Sequence, residues 1–307
     1  MLNALKSYTY FKYTICVLMV FCCVNVSCGQ EDKLIDAQKL IQEKKYSQAI
    51  YILEQATRHE ETKNDPQTYY FRAIAYNNYY KQLGNMLPST CVLLDTSLSS
   101  ALRSIRLNAD SELKKENLVV VENVAKKYFA IAKYYLMDTV KRDDFISEAY
   151  YQKFKKTTLI IDPKFNFKEN DVNYYNAVGG IYADLFSKTS DSKYSDVGKS
   201  ALLNVLEIDP KNIQANMNLG ILYYNQGAKI IREIDYDTGF QNLDVVQDNA
   251  AKLFKQSEPY MIRVYQLGTK DKKVLEGLEG IYHGLNDEEQ ARKYNKLIEE
   301  LKGSNQK

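Results

Sequence analysis

The chain has 307 residues, 45% of them hydrophobic and 26% charged, enough to bury a sizeable core in one or two domains. Its formal net charge of +2 rests on Lys6 and Lys12, within a first 28 residues free of Asp and Glu, so the remainder balances 39 basic against 39 acidic residues. That balance argues against general electrostatic capture of nucleic acid or of an acidic membrane, which needs a basic excess on one face.

Residues 1–27 read as an export signal of the lipoprotein type. Lys6 and Lys12 precede an apolar run from Tyr13 to Val24, too short for a membrane span, which needs roughly 20 residues. The sequence Val26-Ser27-Cys28-Gly29-Gln30 that follows resembles a bacterial lipobox, with a small residue directly before the cysteine to be lipidated. Asn25 stands where that pattern has an aliphatic residue, so ordinary cleavage nearby and a retained anchor are the alternatives. Lipidation of Cys28 would tether a soluble domain to the periplasmic face of a membrane, the outer membrane included, without embedding it. Cys16, Cys22 and Cys23 leave with the signal. No disulfide framework remains, and Cys91 reads as a small buried hydrophobe.

Beyond Cys28 the chain reads as helix after helix. A first amphipathic stretch around Ala37, with Lys33 and Asp36 at positions that want large apolar residues, leads into a better one, Tyr46 to Ala56 with Ala49 and Leu53 in register. Five later segments then share one eight-residue grammar: Tyr69-x-x-Arg72-Ala73-x-x-Tyr76, Tyr128-x-x-Ile131-Ala132-x-x-Tyr135, Tyr175-x-x-Val178-Gly179-x-x-Tyr182, Asn216-x-x-Leu219-Gly220-x-x-Tyr223 and Leu275-x-x-Leu278-Glu279-x-x-Tyr282. Offsets of three, four and seven put these residues on one helix face, and the small one leaves room for a neighbouring backbone. Arg72 and Glu279 depart from the pattern, which a long side chain tolerates by reaching past the packing face. Asp65-Pro66, Asp162-Pro163 and Asp209-Pro210 each follow an amphipathic stretch, where proline is expected to halt one helix and pre-set the first turn of the next. Glu258-Pro259-Tyr260 predicts a kink in a helical stretch from Asp248 to Leu267. Most of the 26 tyrosines fall in such segments and are read as core residues with the hydroxyl at the wet edge.

These residues resemble the tetratricopeptide repeat (TPR) family over about 31–302, most closely from Tyr175 to Pro210 and from Asn216 to Gly227, where Leu206-Glu207-Ile208-Asp209-Pro210-Lys211-Asn212 is similar to the inter-repeat turn of that family. The resemblance implies an all-α fold: a right-handed α-solenoid of antiparallel helix hairpins, about six TPR-like units with insertions, forming a single domain over 28–307. The small positions Ala37, Ala73, Ala132, Gly179, Gly220 and Glu279 are 36, 59, 47, 41 and 59 residues apart, against about 34 for a regular array. Insertions are therefore expected near 84–97 and 228–248, with a lengthened helix around Glu116 to Lys127. The last segments resemble the C-terminal end of exported repeat proteins from the Bacteroidetes group of bacteria. There a final hairpin caps the array, here at about 270–302, with Glu288, Glu289, Arg292 and Lys293 suiting a solvated surface.

No catalytic or metal-ligating constellation is present in the sequence: His59 and His283 stand far apart, and neither has ligand-like spacing. Gly179-Gly180 lies inside a helix pattern after no strand, so tight helix packing explains it better than a phosphate loop. No enzyme activity and no cofactor are expected. In a stack of such hairpins the first helices line the concave side. Helical geometry assigns to that groove Tyr70, Asn77, Asn78, Phe129, Asn173, Asn176, Met217, Tyr224 and Asn225, residues able to hydrogen-bond a peptide backbone or a sugar; the alternative is that they are solvated or inter-helix residues. Some members of the family clamp an acidic C-terminus with basic residues and asparagine. Here the groove positions offer almost no basic partners, so that mode is not expected. The expected function is a non-enzymatic scaffold of the bacterial cell envelope that binds a protein or peptide partner. The alternative is a carbohydrate-binding envelope lipoprotein assisting glycan uptake.

Overall fold

The structure is a computed structural model that describes residues 30–107, 111–234, 240–269 and 272–304. The export signal at 1–27 and Cys28 lie outside the described residues. Among those described, twelve α-helices form and no strand: α1 (Gln30–Gln42), α2 (Tyr46–Ala56), α3 (Pro66–Leu83), α4 (Pro88–Leu107), α5 (Ser111–Met137), α6 (Asp144–Ile161), α7 (Lys168–Thr189), α8 (Ser192–Ile208), α9 (Ile213–Arg232), α10 (Phe240–Gln266), α11 (Lys272–Gly284) and α12 (Glu288–Ser304). The all-α class is therefore observed.

Contacts divide the chain into two compact units, one reaching Phe165 and one from Asn166 onward. In the first, α1 to α6 each pack on the next, and α3 also packs on α1 and α5. In the second, α7 to α12 follow the same order, and α9 also packs on α7 and α11. Alternate helices thus meet within each unit, as well as neighbours in sequence. Each core is built by the apolar stripe of these amphipathic helices. Leu53, Leu94, Leu202, Leu219 and Leu278 are wholly removed from solvent, each contributing about 1.5–3 kcal/mol of transfer free energy.

One contact recurs at the crossing of three hairpins. Ser97 Oγ donates to the Ala73 carbonyl at 2.8 Å, Ser147 Oγ to the Ala132 carbonyl at 2.8 Å, and Ser257 Oγ to the Gly220 carbonyl at 2.6 Å. Each acceptor is the small residue of an eight-residue segment, where a side chain of one methyl or none lets the second helix approach the first. The paired residues lie 24, 15 and 37 apart in sequence, so the crossing keeps its chemistry while the arms beyond it vary in length. That explains the irregular spacing of the small positions. Much of the insertion expected at 84–97 is helix, since α4 begins at Pro88. Likewise α9 runs to Arg232 and α10 begins at Phe240, with 235–239 outside the described residues.

Pro66 occupies the first turn of α3, whose N-cap Asp65 accepts from the Gln67 amide at 2.8 Å. The same role does not extend to Pro163 and Pro210. Both lie in turns ahead of α7 and α9, where Asp162 and Asp209 accept from the Lys164 and Lys211 amides, and α9 is capped instead by Asn212. A turn of this kind needs the fixed proline φ but no proline inside the following helix. α10 continues through Pro259, so the proline does not end the helix.

Tyrosine hydroxyls tie the helices laterally. Tyr76 reaches Glu54 at 2.9 Å, Tyr135 the Met86 carbonyl at 2.8 Å and Tyr282 Glu258 at 2.8 Å. Tyr128, 1% exposed, donates to Asp95 at 2.6 Å, and the Lys153 ammonium sits 2.8 Å from both oxygens of that carboxylate. Burial, then the bond to Asp95, pushes the Tyr128 phenol upward. Cys91 is fully buried beside Tyr80 and Tyr150, and burial pushes its thiol up, which suits the inert role read from the sequence.

Candidate functional site

Three alternate helices of the first unit line a cleft of about 390 Å³. Gln38, Ile41 and Gln42 come from α1, Gln67, Tyr70, Phe71 and Ile74 from α3, and Leu113 and Glu116 from α5. The mixture of aliphatic, aromatic and amide side chains can take up apolar groups while hydrogen-bonding an extended backbone. The Tyr70 ring lies 5.6 Å from that of Phe71. Burial first, then the Glu116 carboxylate, pushes its phenol up to about 12, so the hydroxyl is a neutral donor at physiological pH.

The other sequence-assigned residues of this unit do not join that cleft. Asn77 is only 7% exposed, and its carbonyl and side-chain oxygens both accept from the Lys127 ammonium of α5, the former at 3.2 Å. Phe129 packs on Phe154 and Tyr151 of α6 at ring separations of 4.9 and 6.0 Å. Asn78 is half-buried on α3. Lys127 is the basic residue that sequence reasoning missed beside an expected groove position, because it was counted only as part of a lengthened helix. Burial, reinforced by the Lys81 ammonium, pushes Lys127 down to about 8. The unfolded lysine titrates near ~10.4, so between those values the unfolded chain holds more protons. Stability should therefore rise with pH across that window through this group. Relative to Lys127→Met, the wild-type chain is expected to gain stability between pH 7 and pH 10, measured by urea unfolding at both; an unchanged difference would contradict the shift.

In the second unit, Asn173 is exposed on α7, whereas the Asn176 amide donates to Asn212 Oδ1 at 3.1 Å. Asn212 also caps α9, so Asn176 serves the junction between α7 and α9. Met217 packs against the core cluster around Met261 and Leu278, and Asn225 is half-buried on α9. Tyr224 alone of these residues lines a second cleft, of about 680 Å³, between α9, α10 and α11. Its ring lies 5.6 Å from Phe254, which shares the lining with Asp248, Glu279 and His283. Glu279, visible in the sequence only as a departure from the small position, thus faces a cavity.

The two clefts gather Tyr70 and Tyr224, each within its own unit, and leave the remaining seven assigned residues elsewhere. Among the described residues no helix is long and apolar enough to cross a membrane. A comparison with models of known protein families finds no match, and no curated protein matches the chain.

Proposed function

We propose that this chain is an exported TPR-type α-solenoid, lipid-anchored through Cys28 in the bacterial cell envelope, that acts as a non-enzymatic scaffold for a protein or peptide partner. The observation that carries the reading is the cleft built from α1, α3 and α5, in which alternate helices present Gln38, Gln67, Tyr70 and Glu116 around apolar Ile41, Phe71 and Ile74. Its size and mixed lining suit an extended segment, with amide and phenol groups to pair the partner's backbone and apolar pockets for its side chains. The serine-to-carbonyl contact at three hairpin crossings supports the repeat assignment, since one packing solution is reused with arms of different length.

Site-specific photo-crosslinking in living cells tests this. A photoreactive residue at exposed Gln38 is expected to give a recurrent protein adduct, absent when the same residue is placed at exposed Tyr51 on α2. Glycan retained on the purified protein, with no protein adduct from Gln38, would overturn the scaffold reading and favour carbohydrate binding.

A further inference from the structure

The turn from α5 to α6 is a convex apolar knob. Met137, Val140 and Phe145 there are 62%, 89% and 84% exposed. Large apolar side chains exposed together mark a contact surface, whereas single ones need no explanation. The knob is fixed in place through Tyr135, whose hydroxyl donates to the Met86 carbonyl of the neighbouring α3–α4 turn at 2.8 Å and whose carbonyl accepts from the Asp143 amide at 3.0 Å. Two of its acids are engaged by its own backbone: Asp138 accepts from the Val140 and Lys141 amides at 2.9 and 2.8 Å, and Asp143 from the Ile146 amide at 2.9 Å. Lys141 and Arg142 are left against Asp144 alone.

The cleft of α1, α3 and α5 is the converse surface. It is concave and apolar at Ile41, Phe71, Ile74 and Leu113, and Glu116 is the one charged side chain in its lining among the described residues. Knob and cleft share α5, but Met137 lies 21 residues beyond Glu116 on that helix, about 32 Å at the α-helical rise. The turn therefore cannot enter the cleft of its own chain. A second copy can supply it, and because the two surfaces differ and stand at opposite ends of one helix, such a contact is heterologous and does not close at two copies.

We propose that the α5–α6 turn of one copy seats in the α1–α3–α5 cleft of the next, with Val140 and Phe145 against Phe71 and Ile74 and with Lys141 and Arg142 beside Glu116, so that copies join head to tail. The inference rests on the reading of this cleft as a protein-binding site and names the partner as a second copy of the chain. Two variants separate the halves of the contact: Val140→Asp/Phe145→Asp spoils the knob, and Gln38→Arg/Glu116→Arg reverses the charge of the cleft. All four positions are exposed, so circular dichroism and melting should match the wild type. In sedimentation equilibrium of the full-length chain from micromolar to millimolar concentration, the weight-average mass of the wild type is expected to rise past twice that of the monomer. Each variant alone should stay monomeric. An equimolar mixture of the two should form a species of twice the monomer mass and nothing larger, since one intact knob then meets one intact cleft. A wild type that stays monomeric, a dimer that either variant still forms alone, or a mixture that does not associate would overturn the inference. So would a monomer that instead binds phosphatidylglycerol vesicles through Phe145, which would assign the knob to a membrane. Crosslinking from Gln38 is read separately: adducts with a different protein would leave the scaffold reading standing while this assignment fell.

Discussion

Gly179→Leu is expected to destabilise the second unit by about 3 kcal/mol or more, the upper end for overpacking a filled core. A Cβ at this position would stand 2.4 Å from both the Cγ and a Cδ of Leu202. The Leu202 side chain is completely buried on α8, so it has nowhere to swing. Even Gly179→Ala should destabilise, although alanine gains about 1 kcal/mol in helix propensity. The repair is specific. Leu202→Ala alone should cost about 2–5 kcal/mol through its cavity, yet Gly179→Ala/Leu202→Ala should cost less than the sum of the two, because the added methyl occupies space the leucine vacated. Urea unfolding of the four chains measures the coupling. Strict additivity would mean that the close approach of α7 and α8 is not set by this pair.

Arg72→Leu is expected to cost about 2–3 kcal/mol at pH 7, the range for losing hydrogen bonds to a charged group. Arg72 takes a position where the eight-residue pattern has an aliphatic residue. Its Nε lies 2.7 Å from Glu54 Oε1, one terminal nitrogen donates to Ser100 Oγ at 2.6 Å, and the guanidinium stacks 5.1 Å from the Tyr76 ring centre. Helices α2, α3 and α4 are thereby joined through one side chain. Burial works against ionisation of Glu54, but the hydrogen bonds from Arg72 and Tyr76 outweigh it and hold the carboxyl below its usual range. A carboxylate depressed in the folded state contributes stability above the unfolded pKa of ~4.3 and loses it as pH falls through the folded value. The cost of Arg72→Leu should therefore shrink between pH 7 and pH 3. A cost independent of pH would assign the effect to packing of the arginine stem instead.

The helical class and the element order were legible because offsets of three, four and seven mark one helix face whatever the partner helix is. Tight packing at Gly179 was legible for the same reason. Arm lengths were not: the serine that closes each crossing lies 15 to 37 residues from its acceptor, and nothing local in the sequence couples them. The roles of Pro163 and Pro210 were overread, since an Asp-Pro pair fits a turn as well as a helix start. Among the groove residues, helical phase alone cannot separate a side chain that faces a cleft from one that meets the next helix. Asn77 and Phe129 have the right phase, but Lys127 and Phe154 arrive from α5 and α6 to occupy them. Tyr70 lines a cleft because a gap beside α1 faces it, whereas Tyr224 only borders its cleft, since Gly280 lets α11 pack against its ring. Gln67, which helps complete the first cleft, lies one helical turn before the assigned Tyr70, and Gln38 lies on α1, to which no groove position was assigned; neither carried a signal of its own.

The chain contains no tryptophan, so a single one placed at exposed Gln38 would report on the first cleft alone. The measurement that bears most directly on peptide binding there is a fluorescence titration of Gln38→Trp with the partner segment recovered by crosslinking. The expected result is a saturable blue shift as the segment dries the cleft, with no shift from a tryptophan placed at Tyr51 on the outer face of α2. Binding of the segment with the Gln38→Trp emission unmoved, or with equal shifts at both positions, would contradict a partner site in that groove.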